Sequence, residues 1–345
     1  MTPDAGDPRM IRVAYWDRRK ARNALTALWL HMRSWYRRLQ GAPAAPEATQ
    51  RLSGTYPQLF VVGCPRSGTT WITSILAAHP RVINAAESHA YATILGPFVE
   101  RGLRGNRGWR RVLTRYDLLE KRGWNVGVHR YIDRRTLCEF IVNARSRADW
   151  SDEQAAEHVI GWILDHFFAA RGGTASELLV EKTPAHLFQA RRILRAFPRA
   201  RIVEVVRDGR DVCASMQRLA AHEWWPPRER RAQIETWRRH VECGAALRAD
   251  PACAGRIVQI RYETVRSEPA LAISRLFTFA GLDTSPEQIA DIVAATDIAR
   301  SGPAAGSKVP QRGLVGGWRE QFTTEDTALF ARLAGEALRD AGYST

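Results

Sequence analysis

Short, mainly apolar runs alternate with stretches of helical period along most of this chain. Leu59 to Val62 is one such run, closed by Gly63, and Thr69 to Ala78 follows it with helical spacing. Leu178 to Val180, Ile202 to Val206 and Ile257 to Ile260 are further runs, each leading into a helical stretch, and the apolar residues before Glu87 supply a second strand. Runs so largely apolar suit strands buried on both faces. Their alternation with helices predicts an α/β domain, a parallel sheet flanked by helices. Ligands of such sheets bind beyond the carboxyl ends of the strands, so the chemistry is to be sought just after each run.

Two segments depart from this alternation. Residues 11 to 40 carry Leu25, Leu28, Trp29, Met32, Trp35, Tyr36 and Leu39 among arginines at helical spacing, and "GAPAAPEA" then ends the helix as a linker. The chain thus reads as a basic amphipathic N-terminal helical extension with its linker over 1–50, and the α/β domain over 51–345. Such a helix suits contact with an anionic membrane surface, with the domain, or with a second subunit in a homodimer. Residues 88 to 175 are irregular, rich in arginine and tryptophan, and read as a helical insertion capping the site on its acceptor side.

Charge narrows the picture less than it promises. The 345 residues carry a formal charge of +15, nearly all of it arginine, since lysine occurs only at Lys20, Lys121, Lys182 and Lys308. Coding bias and anion binding both produce such a composition. There is no arginine-aromatic repeat, zinc spacing or recognition-helix pattern, so nucleic acid is not an expected partner. The five cysteines are odd in number and form no C-x-x-C pair, which points away from a disulfide framework or a metal site. A signal-peptide core and any stretch of about 18 apolar residues are missing as well, so the expected location is the cytoplasm, peripheral to a membrane if the first helix binds one.

The strand ends hold the candidate chemistry. After the first run comes "GCPRSGTTW", in which Gly63 and Gly68 have the spacing of a phosphate-binding loop and Thr70 stands at its final hydroxyl position. The loop's usual lysine is replaced by Thr69, leaving Arg66 as its strong cation. Glycines let the backbone approach an oxyanion, and the N–H groups of Ser67 to Thr70 open a helix whose positive end faces the same point. After a later run comes "RIVEVVRDGRDVCASM", with Arg207 where a triphosphate hydrolase would place a metal-binding Asp, and Ser215 eight residues on. Alone, Arg207-Asp208 reads as a structural ion pair. With the first loop, Arg207 and Ser215 read as a guanidinium and a hydroxyl directed at a phosphate.

Together "GCPRSGTTW" and "VVRDGRDVCASM" resemble the paired nucleotide loops of sulfotransferases that use 3'-phosphoadenosine 5'-phosphosulfate (PAPS) as co-substrate. The likeness continues through "EKTPAHLFQARRILRAFP", "RYETVRSEPALAISRLFTFAGL" and "QRGLVGGWRE", over roughly residues 58 to 320, with the middle insertion unmatched. It implies the P-loop-like sulfotransferase fold. It also explains the missing lysine, because this donor has no β- or γ-phosphate for a lysine to reach. The resemblance implies that Arg66, Ser67, Gly68, Thr69 and Thr70, with Trp71 closing the motif, hold the 5'-phosphosulfate. It implies that Arg207 and Ser215 hold the 3'-phosphate, that Arg312 and Gly313 belong to a C-terminal phosphate-binding segment, and that Tyr262 lies near the adenine.

Sulfuryl transfer needs positive charge at the leaving oxygen and a base at the acceptor hydroxyl. Lys182 in "LVEKTP" resembles a catalytic lysine of the family. Arg66 stabilises charge but is a poor proton donor, because a guanidinium is effectively never deprotonated. Glu87 matches a glutamate of members acting on sugars or protein tyrosine, with His89, His129 and His186 as rival bases. The expected acceptor is a small molecule or glycan, in particular a carbohydrate or glycolipid. The alternatives are a P-loop kinase, which Thr69 and the missing metal-binding Asp oppose, and a non-catalytic anion-binding or scaffold protein.

Overall fold

The computed structural model describes residues 8–39, 55–85, 87–283, 285–297 and 313–344. The linker of residues 41–48 and the candidate Arg312 lie outside the described residues. The chain divides into two compact units, Met1–Leu52 with Ser88–Ala170 and Ser53–Glu87 with Arg171–Thr345.

The second unit is built on five strands: β1 (Gln58–Gly63), β2 (Val82–Asn84), β3 (Leu178–Lys182), β4 (Ala200–Val206) and β5 (Ile257–Arg261). They pair in parallel in the order β2-β3-β1-β4-β5. The apolar runs of the sequence each fall on one of these strands, and all six residues of β1 are buried. The reason is that both faces of the sheet are covered. Leu59 and Val61 join Val180, Val203, Ile72, Ile75 and Phe277 in one core. Phe60, one step along, faces the other way and meets Phe197 at 5.8 Å between ring centroids. On that side Val206, Val212, Met216, Trp237, Phe330 and Leu338 form a second core. With two apolar faces to satisfy, the central strands have no polar alternation to show.

Because β1 lies in the middle and the chain leaves it first toward β2 and later, after β3, toward β4, the sheet has its switch point beside β1. The register Val61↔Lys182 and Gly63↔Val205 brings the ends of β3, β1 and β4 level with one another. The five cysteines carry free thiols.

The first unit is helical, with helices over Pro8–Leu39, Gly105–Lys121, Arg134–Ser146 and Asp152–Ala170. The N-terminal helix packs on the Gly105–Lys121 and Arg134–Ser146 helices through a narrow face of Asn23, Ala27, Leu30 and Ser34. The pin of this packing is the buried carboxylate of Asp117. It accepts hydrogen bonds from Arg22 Nη2 at 2.8 Å, Asn23 Nδ2 at 3.0 Å and Arg134 Nε at 3.0 Å. Burial alone would raise its pKa, but the bonds from Asn23 and Arg22 and the charge of Arg134 hold it below the usual carboxylate range. Among the described residues no helix is long and apolar enough to cross a membrane.

Candidate active site

The loop after β1 is shaped by two glycines that no other residue replaces without strain. Gly63 has φ 142° and Gly68 φ 102°, and a Cβ added to them would stand 2.4 Å from the Val205 carbonyl oxygen and 2.5 Å from the Tyr262 ring. Arg66 itself sits at φ 76°, in the left-handed region that costs a side-chain-bearing residue about 1–2 kcal/mol. The Ser67 N–H closes the turn on the Cys64 carbonyl at 3.0 Å. The helix Thr69–Ala77 then begins at Gly68 with no side chain among the described residues capping it, which turns its leading N–H groups toward the loop. The Ser67 hydroxyl, fully buried, has no hydrogen-bond partner either.

Arg207, at the end of β4, lies against this loop. Its Nη2 donates to the Leu314 carbonyl at 2.6 Å and its Nη1 to the Arg66 carbonyl at 3.5 Å, while its buried Nε has no partner among the described residues. The guanidinium stacks 4.5 Å above the Tyr262 ring and stands 3.8 Å from Asp211. Arg66 Nε donates to Ser215 Oγ at 3.1 Å, so Arg66, Arg207 and Ser215 form one cluster. Burial, followed by the like charges of Arg207 and Arg218, pulls the Arg66 guanidinium below its usual range, and Glu87 opposes that shift.

Tyr262 opens the helix after β5 and is buried. Its hydroxyl donates to the Gly313 carbonyl at 3.0 Å, and Trp71 packs edge-on to its ring at 5.3 Å. The Trp71 indole N–H donates to the Thr296 carbonyl at 2.7 Å. Arg66, Gly68, Thr69, Thr70, Trp71, Arg207, Tyr262 and Gly313 line one cavity. A larger cavity lies at the opposite, amino ends of the strands among Gln58, Arg81, Arg199 and Arg256. Arg256 there donates to the carbonyls of Ala200, Leu194 and Phe197, which makes it a structural clamp remote from the loop.

Lys182, the last residue of β3, is buried and donates from Nζ to Thr70 Oγ1 at 3.2 Å and to the Glu87 carboxylate. The structure therefore brings the sequence's lysine, glutamate and loop hydroxyl together. Two of the rival histidines have hydrogen-bond partners of their own. His186 is buried with Nδ1 2.9 Å from Glu181, and His129, in the first unit, has Nε2 3.0 Å from the Trp124 carbonyl. His89 also belongs to the first unit and has φ 49°.

Sequence reading passed over Asp211. Its carboxylate accepts from the N–H groups of Gly316, at 2.8 Å, and Trp318, at 2.9 Å, and so fixes the segment whose Leu314 carbonyl holds Arg207. The signal was present in "RDGRD", which puts Asp211 one helical turn after Arg207. Glu263 is similar: it accepts the Asp208 N–H at 2.9 Å and the Tyr343 hydroxyl at 2.8 Å, tying together the ends of β4 and β5 and the C-terminus.

A glycine-framed loop between a central parallel strand and an uncapped helix, with guanidinium groups in place of the nucleotide-triphosphate lysine, defines an anion-binding enzyme of the P-loop-like class. The profile of the sulfotransferase family matches residues 57–286, and the chain belongs to that family. No curated protein matches the sequence significantly. Solved structures similar to it include the sulfotransferase domain of the Synechococcus olefin synthase, at 20% identity over 86% of this chain and 98% of that one, TM-score 0.49. A Mycobacterium avium sulfotransferase shares 16% identity over 94% and 86% of the two chains, TM-score 0.48. A mouse sulfotransferase complexed with PAP shares 15% over 86% and 90%, TM-score 0.47. With scores below 0.5, the assignment rests on the family match.

Proposed function

We propose that the protein transfers the sulfuryl group of PAPS to a hydroxyl of a carbohydrate or glycolipid. The observation that carries this reading is the placement of Lys182 Nζ between Thr70, at the opening of the anion loop, and Glu87. Ser67 Oγ and Arg207 Nε, both buried and unpartnered, are donors suited to phosphate oxygens, and the stacked Arg207–Tyr262 pair suits a nucleotide.

In this proposal Arg66, Ser67 and the N–H groups through Thr70 hold the 5'-phosphosulfate, Arg207 and Ser215 the 3'-phosphate, and Tyr262 the base. Gly313, whose carbonyl accepts from Tyr262, lies on the same wall of the cavity. Glu87 takes the proton of the acceptor hydroxyl as its oxygen bonds to sulfur. Lys182 and Arg66 stabilise the charge that appears on the bridging oxygen as the sulfur–oxygen bond to the 5'-phosphate breaks, and Lys182 can supply a proton to it. Glu87 in this place resembles the glutamate of family members acting on sugars or protein tyrosine, and of these the sugar is the acceptor proposed. Trp224 and Trp225, both exposed, suit stacking on sugar faces.

The test is thermal stabilisation by adenosine 3',5'-bisphosphate without Mg²⁺, followed by a screen of acceptor classes with radiolabelled donor. Stabilisation by ATP with Mg²⁺ instead would show that the loop prefers a triphosphate and would count against the PAPS reading of the site. No response to either nucleotide would overturn the enzymatic reading of the loop.

A further inference from the structure

The N-terminal helix is inside-out for a packed helix. Its buried face is made of Asn23, Ala27, Leu30 and Ser34, while Leu25, Leu28, Trp29, Met32, Trp35, Tyr36 and Leu39 are all 45% exposed or more. At 100° per residue these seven fall within an arc of about 120°, opposite the buried face, and they run along about 21 Å of helix. Among the described residues of the first unit none covers them. A contiguous apolar stripe of this kind marks an interaction surface.

The charges beside it select the occupant. Arg33 is exposed along one edge with its guanidinium 4.9 Å over the Trp29 ring, and Arg22, further back along it, is paired with Asp117. No acidic residue occurs between Arg18 and Leu39. A second copy laid along the same stripe would bring Arg33 to the seam with no carboxylate from residues 18–39 to pair with, the reverse of what flanks a paired-helix interface. An anionic surface meets the same charge favourably. Tryptophan and tyrosine with arginine beside them also suit the headgroup boundary, where an apolar body and a polar tip are both satisfied. We infer that this stripe seats the protein on a membrane bearing anionic lipid, with the helix lying in the interface. The inference is independent of the nucleotide chemistry proposed above.

The experiment uses the full chain and vesicles of phosphatidylcholine, pure or with about one third phosphatidylglycerol. Wild-type protein is expected to sediment with the anionic vesicles and at least about tenfold less with neutral ones, and to be released by about 0.5 M salt. Met32→Glu with Trp35→Glu is expected to reduce sedimentation about tenfold or more, with the thermal transition and its response to adenosine bisphosphate unchanged. Leu28→Ser with Met32→Ser, a milder pair on the same stripe, decides the matter should the first variant not fold. Failure of the wild type to sediment, or equal sedimentation of wild type and folded variant, overturns the inference. So does a wild-type dimer in light scattering that the variant turns into a monomer, because the stripe would then belong to a second copy.

Discussion

Arg66 Nε donates to Ser215 Oγ at 3.1 Å, joining residues 149 positions apart. The bond orients a loop guanidinium and a helix hydroxyl before any ligand arrives. It also holds them beside Arg207, whose Nε is left without a partner. Such preorganisation lowers the ordering cost of binding.

Arg207→Ala is expected to weaken adenosine 3',5'-bisphosphate by roughly 2 to 5 kcal/mol, the range for truncating one member of a buried charged contact. Ser215→Ala, which removes a single charge-assisted hydrogen bond, should cost about 1.5 to 3 kcal/mol. Titration calorimetry measures both. Affinities equal to that of the wild type would remove these residues from the nucleotide site.

Glu87 and Lys182 are in contact, and their proposed roles separate by readout. Glu87→Gln keeps the shape and removes the basic carboxylate, so turnover should fall by about 10² to 10⁴ while bisphosphate affinity stays nearly constant. Turnover within a few-fold of wild type, together with loss of activity in His89→Ala or His129→Ala, would reassign the base.

Asp211 holds the N–H groups of Gly316 and Trp318. Asp211→Ala leaves both donors without their acceptor, at a cost of about 1 to 3 kcal/mol each if they remain buried, and frees the Leu314 carbonyl from its position over Arg207. Faster hydrogen exchange at Gly316 and Trp318 and weaker bisphosphate binding should appear together. Unchanged exchange would show that the segment is anchored elsewhere.

Asp117→Ala strands Arg134 and Asn23 in the helical unit. Removing one member of a buried charge network costs about 3 to 5 kcal/mol, so a lower thermal transition is expected. Because the Asp117 pKa is held below its unfolded value, the stability it contributes is present above about pH 4 and is lost as pH falls through the folded value.

His240 titrates with the opposite charge but the same dependence. Its Nδ1 lies 2.7 Å from the Thr236 carbonyl, and its buried Nε2 has no partner. Burial, joined by Arg239, lowers its pKa below the free value, with the Thr236 contact opposing. The unfolded chain therefore takes up the proton first as pH falls below about 6.5, and stability is lost through the folded pKa. Urea midpoints should drop between about pH 7.5 and 5 in the wild type and drop less in His240→Phe. Equal drops would show that His79 and His129, also lowered by burial, dominate.

The sheet and its loops were legible in the amino-acid sequence because their causes are local. A strand covered on both faces is mainly apolar, as at Leu59–Val62, and a loop that turns through φ 142° at Gly63 and 102° at Gly68 must carry glycine there. The same locality made Arg66, Arg207, Lys182 and Glu87 visible as residues just after strands. Which of them meet was decided only by tertiary structure. Among so many arginines, nothing in the sequence says that Arg66 reaches Ser215, that Arg207 is held by the carbonyl of Leu314, or that Asp211 anchors Gly316 and Trp318. Those pairings follow from strand register, which sets the ends of β1, β3 and β4 level, and from a C-terminal segment returning across them. The N-terminal helix shows the same division. Its period is plain in the sequence, but its smaller face is the one that packs, because Asp117 and its three partners fix the rotation of the helix and leave the bulky stripe outward.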